Sequence, residues 1–276
     1  MVDTPLLSPA GDIILTLGAL SVVAVAIMEL YALCYYGLRL SNEASAVDNL
    51  NSRVWSADVK MNIHHTYVYL FVSYYVCTIV AGIVFSSTSL FALFSSSFMI
   101  IIDFVVESIV QYGRLFAQLD STGFFSRQKL AWITYCSFLG GLASPAALFG
   151  PTAIRVAIHL TLFVVLALII ISLTAPVGKF VGWNQTLRIF EVIVLVGSFA
   201  SSFLPISTTS GALAFAISFY GGLILFQLFF LCHSQEAHVM AQRATREQPY
   251  CPPAMSIPML LDTLSIFSRI LLMIPP

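Results

Sequence analysis

Few side chains in this sequence can do chemistry, and several of them lie inside long apolar runs. His233 closes one such run, and Asp262 sits about 8 residues, roughly 12 Å, into the next. If the two runs are adjacent antiparallel helices, the imidazole and the carboxylate can meet. A histidine changes charge near neutral pH. The pair therefore reads equally as a pH- or cation-responsive latch and as a static ion pair holding two helices. Asp103 and Glu107 are four residues apart, which puts them on one face of a helix. Two carboxylates held close in a low dielectric cannot both ionise cheaply. Such a pair shares a proton, binds a cation, or faces a cavity or a neighbouring subunit. Glu29 is a third carboxylate deep in an apolar run. An ionisable group at membrane depth is expensive and is a functional candidate by default.

Other groups read more plainly. Arg188 and Glu191, three residues apart, are placed to neutralise each other. His159 stands alone and reads as a hydrogen-bonded packing residue. His64, His65 and His238 read as interfacial, and none repeats at the spacing that sets two imidazoles on one metal. The five cysteines (Cys34, Cys77, Cys136, Cys232 and Cys251) are odd in number and scattered, with no CxxC. Neither a disulfide framework nor a zinc site is expected, and no cofactor is implied. No GxGD, HExxH or GxSxG occurs, so an enzyme is the least favoured class.

The elements that must position these groups follow from composition. Of 276 residues, 59% are apolar and 9% are charged, against roughly 25% charged in an average soluble domain. That excludes a soluble globular enzyme, a disordered regulator and a coiled coil, and makes the lipid bilayer the solvent. A formal charge of −1 excludes nucleic acid as a partner bound through a Lys/Arg surplus.

A spanning helix needs about 20 mostly apolar residues, and eight segments qualify: Ile13–Leu38, Thr66–Phe85, Leu90–Val110, Leu130–Phe149, Ala153–Leu173, Thr186–Leu204, Gly211–Cys232 and Met255–Ile274. The runs are too long for membrane strands, and backbone groups in hydrocarbon must be satisfied internally. The fold class is therefore an all-α, polytopic membrane helix bundle. Gly150-Pro151, Pro205 and Pro252-Pro253 mark breaks, and Pro145 predicts a kink in the fourth span. Gly140-Gly141 and Gly221-Gly222 predict close helix contacts.

With alternating topology, one face collects Arg39, Arg53, Lys60, Arg114, Arg127, Lys129, Lys179, Arg243 and Arg246, with Arg188 near it. The other keeps Arg155 and Arg269, a strong positive-inside pattern. The N-terminal stretch, with Asp3 and Asp12 and no basic residue before Arg39, matches neither a secretory signal nor an Arg-rich transit peptide.

Seven short motifs, in order, carry a family resemblance: ALCYYGLRLSNE at Ala32–Glu43, IHHTYVYL at Ile63–Leu70, KLAW at Lys129–Trp132, GPTAIRVA at Gly150–Ala157, SSFLP at Ser201–Pro205, YGGLILF at Tyr220–Phe226 and DTLSIFSR at Asp262–Arg269. Together they resemble the Bax-inhibitor (transmembrane Bax inhibitor motif) family, in its mitochondrial branch. The resemblance implies a seven-helix Bax-inhibitor-like core over residues 63–276. Residues 1–62 would then be an N-terminal segment with one extra transmembrane helix. It also implies the mitochondrial inner membrane, cristae organisation, and calcium or proton-coupled cation movement. In the family an Asp-Thr-Gln triplet faces an aspartate of the last helix as a pH-sensitive dyad. Asp262 matches the second aspartate, while the triplet here is His233-Ser234-Gln235. With one carboxylate replaced by imidazole, calcium binding is expected to be weak or absent, and response to protons is retained. The alternatives at this stage are a structural accessory subunit of a large respiratory-chain or ATP-synthase-type assembly, and an active calcium or proton leak or exchanger.

Overall fold

The computed structural model describes residues 55–94, 127–244 and 249–274. The first expected span, with Glu29, lies outside them. So does most of the third, with Asp103 and Glu107.

All elements among the described residues are helical. α1 (Ala57–Ser86) starts where the Ser56 side chain accepts from Val59 N at 3.3 Å, with Asp58 in the first turn. That is an N-cap with an acid beside the positive end of the helix dipole. It begins nine residues ahead of the apolar run that predicted it. The short α2 (Thr88–Phe94) follows, and α3 (Arg127–Ala143) passes into a 3-10 turn at Ser144–Phe149 and then into α4 (Gly150–Thr174). Pro145 does not kink an α-helix as expected. It sits at the head of the 3-10 turn, where its missing N–H has no α-ladder bond to lose. Gly150 takes φ 84°, a left-handed conformation that glycine adopts without a steric penalty.

α5 (Asn184–Phe203) ends with Leu204 extended ahead of Pro205, as the residue before proline prefers. The next helix is continuous but uneven, with α6 (Thr209–Ala216), a π-helical turn at Ile217–Gly221 and α7 (Gly222–Arg243). Pro252 and Pro253 open α8 (Pro252–Met273) rather than merely preceding it, and Pro258 lies inside it.

Among the described residues, four helical runs are long and apolar enough to cross a membrane: Ala57–Ser86, Arg127–Thr174, Thr209–Arg243 and Pro252–Met273. The chain is thus a multi-pass, all-α membrane protein. Hydrogen bonds show how the passes alternate. Gln128, at the start of α3, bonds Cys251, just before α8. Gly178, just after α4, donates to Gln235 of α7 at 2.7 Å. Thr66 of α1 meets Tyr250 at 2.7 Å. The start of α3 and the end of α4 therefore lie at one end of the bundle, and the run between them is two antiparallel passes reversed near Gly150. Lys60, Arg127, Lys129, Lys179 and Arg243 gather at that same end.

α8 is the central helix, packed on α1, α4 and α7, and α1 packs in turn on α3. The core side chains include Leu70, Val165, Phe229, Phe230, Ile257, Leu260 and Ile266. Outward-facing carbon is equally plain, with Ile189, Val192 and Val196 on α5 largely exposed. In water such a surface would drive aggregation; in hydrocarbon it is the solvated side.

Small residues set the closest approach. A Cβ at Gly140 would stand 2.6 Å from the Cys77 carbonyl oxygen, so α1 and α3 touch backbone to backbone there. A Cβ at Gly82 would meet nothing within 4 Å. Gly140→Val should therefore lower stability by about 1–3 kcal/mol, read as a fall in melting temperature in detergent. Gly82→Ala should leave the melting temperature unchanged or raise it.

Candidate functional site

The hairpin of α7 and α8 sets the register of the site. His233 lies ten residues before the end of α7, and Asp262 ten residues after the start of α8. In an antiparallel pair those positions are level. His233 Nδ1 lies 2.7 Å from Asp262 Oδ2, a distance at which an imidazole N–H donates to a carboxylate. The side chains are 12% and 5% exposed. Because α8 starts at Pro252 rather than Met255, Asp262 sits about 15 Å along the helix, deeper than the sequence suggested.

The surroundings are tight and mixed in character. Phe229, one turn before His233, stacks on the imidazole with ring centroids 5.7 Å apart and planes 11° from parallel. The Arg188 guanidinium of α5 stands 5.2 Å from the centre of the Phe229 ring, within cation–π range. Arg188 is itself held by Glu191 at 3.0 Å, the local neutralisation their spacing predicts. Pro258, one turn before Asp262, removes one helical N–H beside the site. Arg188, Glu191, Phe226, Phe229, His233, Pro258, Leu261 and Asp262 enclose a space of only about 10 Å³. That is the lower bound of what one water molecule occupies.

A second polar cluster begins at the next residue of α7 and runs to His238, and sequence reasoning missed it. Tyr67 of α1 places its hydroxyl 2.7 Å from Ser234 Oγ and 3.2 Å from His238 Nε2. Ser234 donates to Ser172 Oγ of α4 at 2.7 Å. Gln235 donates to the Ser172 carbonyl at 2.6 Å and accepts from Gly178 N. The triplet His233-Ser234-Gln235 thus spends each of its side chains on a different neighbour: α8, then α1 and α4, then α4 and the chain beyond it. His238, near the basic end of α7, is buried within the bundle at 1% exposure. The available signal was the polar run His233-Ser234-Gln235-Glu236 in a helix that up to Cys232 is apolar apart from Gln227. At the basic end, burial raises the pKa of the Tyr250 phenol and the Cys251 thiol above their ordinary values. Both groups therefore remain protonated and act as neutral hydrogen-bonding groups.

The remaining candidates lie apart from the site. His159 is exposed, not packed, and its Nδ1 pairs with the Arg155 carbonyl of its own helix at 2.6 Å. His64 and His65 are exposed on α1. Arg269 donates to the Ser265 carbonyl at 3.0 Å and stands 4.5 Å from the centre of the Phe226 ring. A Cβ on Gly222 would run into its guanidinium, which is why glycine occupies that turn of α7. Among the described residues, no three His, Cys, Asp or Glu side chains gather within reach of one metal ion. Glu29, Asp103 and Glu107 lie outside the described residues.

Comparison with known proteins supports the motif reading across the chain. The sequence is 29% identical over 260 residues to growth hormone-inducible transmembrane protein of Rattus norvegicus, covering 94% of this chain and 75% of the relative. That relative is a Bax-inhibitor-family member, so the similarity to that family extends well beyond the seven motifs. No family model matches, and no solved structure matches.

Removing one partner of a buried charged pair strands the other, at a cost of about 3–5 kcal/mol. His233→Ala and Asp262→Ala should each destabilise the protein by that order in a detergent or bilayer unfolding assay. The double variant His233→Phe with Asp262→Leu should be markedly more stable than the sum of the two losses predicts.

Proposed function

We propose that this chain is a multi-pass protein of the mitochondrial inner membrane, a Bax-inhibitor-family member that organises the membrane and its cristae. In this reading it has the family's seven-helix core behind one extra leading span, its basic loops face the matrix, and it is not an enzyme. Its His233–Asp262 pair is a proton-responsive latch between α7 and α8, not a calcium site.

The contact between these two side chains is the observation that carries the reading. A calcium ion takes six to eight oxygen ligands. Here one carboxylate is engaged by an imidazole, the other carboxylate lining the same space, Glu191, is engaged by Arg188, and that space is water-sized at most. A proton is the one cation that needs no such room. The charged form of the pair exists only while the imidazole is protonated and the carboxylate ionised. Acid removes the second charge and alkali the first. The groups facing His233 are Asp262 on α8, Arg188 and Glu191 on α5, and Glu236 on its own helix, and all four act on that balance. The dry contact equally favours a second reading, an accessory subunit of a large respiratory or ATP-synthase-type assembly in which the pair is a fixed tie. A calcium leak or exchanger is disfavoured by the same geometry.

Reconstitution in sealed vesicles tests this. The natural protein should pass no more calcium than protein-free vesicles, at neutral or acid pH, and His233→Asp should create a calcium-dependent flux. Calcium flux through the natural protein that Asp262→Asn abolishes would overturn the latch reading. Helix separation that is identical from acid to alkaline pH, read by spin labels on α7 and α8, would favour the fixed tie.

A further inference from the structure

Four ionisable side chains line one water-sized space: Arg188 and Glu191 of α5, His233 of α7 and Asp262 of α8. They are paired two by two, Arg188 with Glu191 at 3.0 Å and His233 with Asp262 at 2.7 Å. With the imidazole protonated, each carboxylate has its own cation. Loss of that one proton leaves two carboxylates and one cation, because a guanidinium does not give up its proton in a protein.

The two carboxylates are not equal claimants for it. The Glu191 side chain is 30% exposed and the Asp262 side chain 5%. A buried charge without a partner costs far more than a partly solvated one. The cluster is therefore lower in free energy when the remaining cation serves Asp262 and Glu191 turns to its own exposed side. Arg188 is placed for that transfer. Its guanidinium stands over the Phe229 ring, which stacks in turn on His233. It lines the same space as Asp262, so side-chain torsions suffice to carry it across. Among the described residues, the other titratable groups acting on the pair are Tyr74 of α1 and Cys232 and Glu236 of α7. None of them is a cation. Tyr74 is bonded to Thr263 at 2.7 Å, and Cys232 donates to the Phe180 carbonyl at 3.0 Å.

The geometry points to Arg188 as the third member of the latch: when His233 is neutral, the guanidinium leaves Glu191 and pairs with Asp262. The central helix α8 is then tied to α7 while the imidazole holds its proton, and to α5 once it has lost it. This rests on the latch reading above. It replaces simple release on the alkaline side by an exchange of one helix partner for another.

Double-mutant cycles on the full chain in lipid bicelles test it. The unfolding equilibrium constant is read below and above the titration of His233, which the ring nitrogen signal locates. Arg188→Gln with Asp262→Asn should couple weakly below that titration and about fivefold more strongly above it. In a His233→Gln background, where the side chain is neutral throughout, the strong coupling should be present at both pH values. The companion cycle of His233→Gln with Asp262→Asn reports the latch itself, and its coupling should fall as the pH rises. If the companion coupling falls while that of Arg188 stays weak, the exchange is overturned and the latch stands. If neither coupling changes with pH, the latch reading is overturned and the exchange with it. Should a variant not fold, magnetic recoupling between nitrogen-labelled arginine and carbon-labelled aspartate reads the same contact in the natural chain. A contact that appears above the titration and is missing in Arg188→Gln supports the exchange, and its absence at every pH overturns it.

Discussion

Lipid is a solvent that forgives carbon and penalises every unpaired polar group, and the architecture follows from that asymmetry. Backbone groups retreat into helices because nothing else in hydrocarbon can satisfy them. Polar side chains cannot retreat, so they must meet each other. In this protein the meeting that matters is between His233 and Asp262, 2.7 Å apart on the two arms of a hairpin. Take either away and the other is a polar group stranded in the centre of the bundle. The pair ties α7 to α8, and α8 is the helix on which α1, α4 and α7 all pack.

The residues next to the pair extend the same logic. Ser234 and Gln235 follow His233 directly and both bond Ser172 of α4, with Ser234 also meeting Tyr67 of α1, so one helical turn of α7 fastens α1, α4 and α8 at once. A histidine in that first position changes what the tie can do. An aspartate there would make a second oxygen ligand and leave a charge to be shared. An imidazole instead makes a directed bond whose strength depends on a proton. Arg188, paired with Glu191 and set over the Phe229 ring, adds a positive charge beside the pair. The function proposed above is one of holding and releasing helices rather than of holding metal.

The sequence made the passes legible because a spanning helix has one loud requirement, a long apolar run. Thr66–Phe85 lies inside α1 and Met255–Ile274 lies inside α8 up to its last residue, while Thr186–Leu204 is helical as α5 up to Phe203 but is not among the four runs long and apolar enough to cross a membrane. Boundaries were less legible because caps are polar and short: Ser56 starts α1 nine residues ahead of its apolar run. Pro145 was misread because a proline disrupts an α-ladder but not the head of a 3-10 turn, and apolarity does not distinguish the two. The pairing of His233 with Asp262 was legible from the hairpin between them. The Tyr67–Ser234–Ser172–His238 cluster was not, because it joins residues from three helices up to 171 positions apart. Spacing in sequence carries no trace of that.

The most direct test of the central tie is the nitrogen chemical shift of the His233 ring in lipid bilayers, measured by solid-state NMR on histidine-labelled protein and on the Asp262→Asn variant. The account predicts an Nδ1 that carries a proton and is strongly hydrogen-bonded in the natural protein, with a clear shift of that signal when the carboxylate becomes an amide. A ring signal identical in the two proteins, or an Nδ1 without a proton across the neutral range, would contradict it.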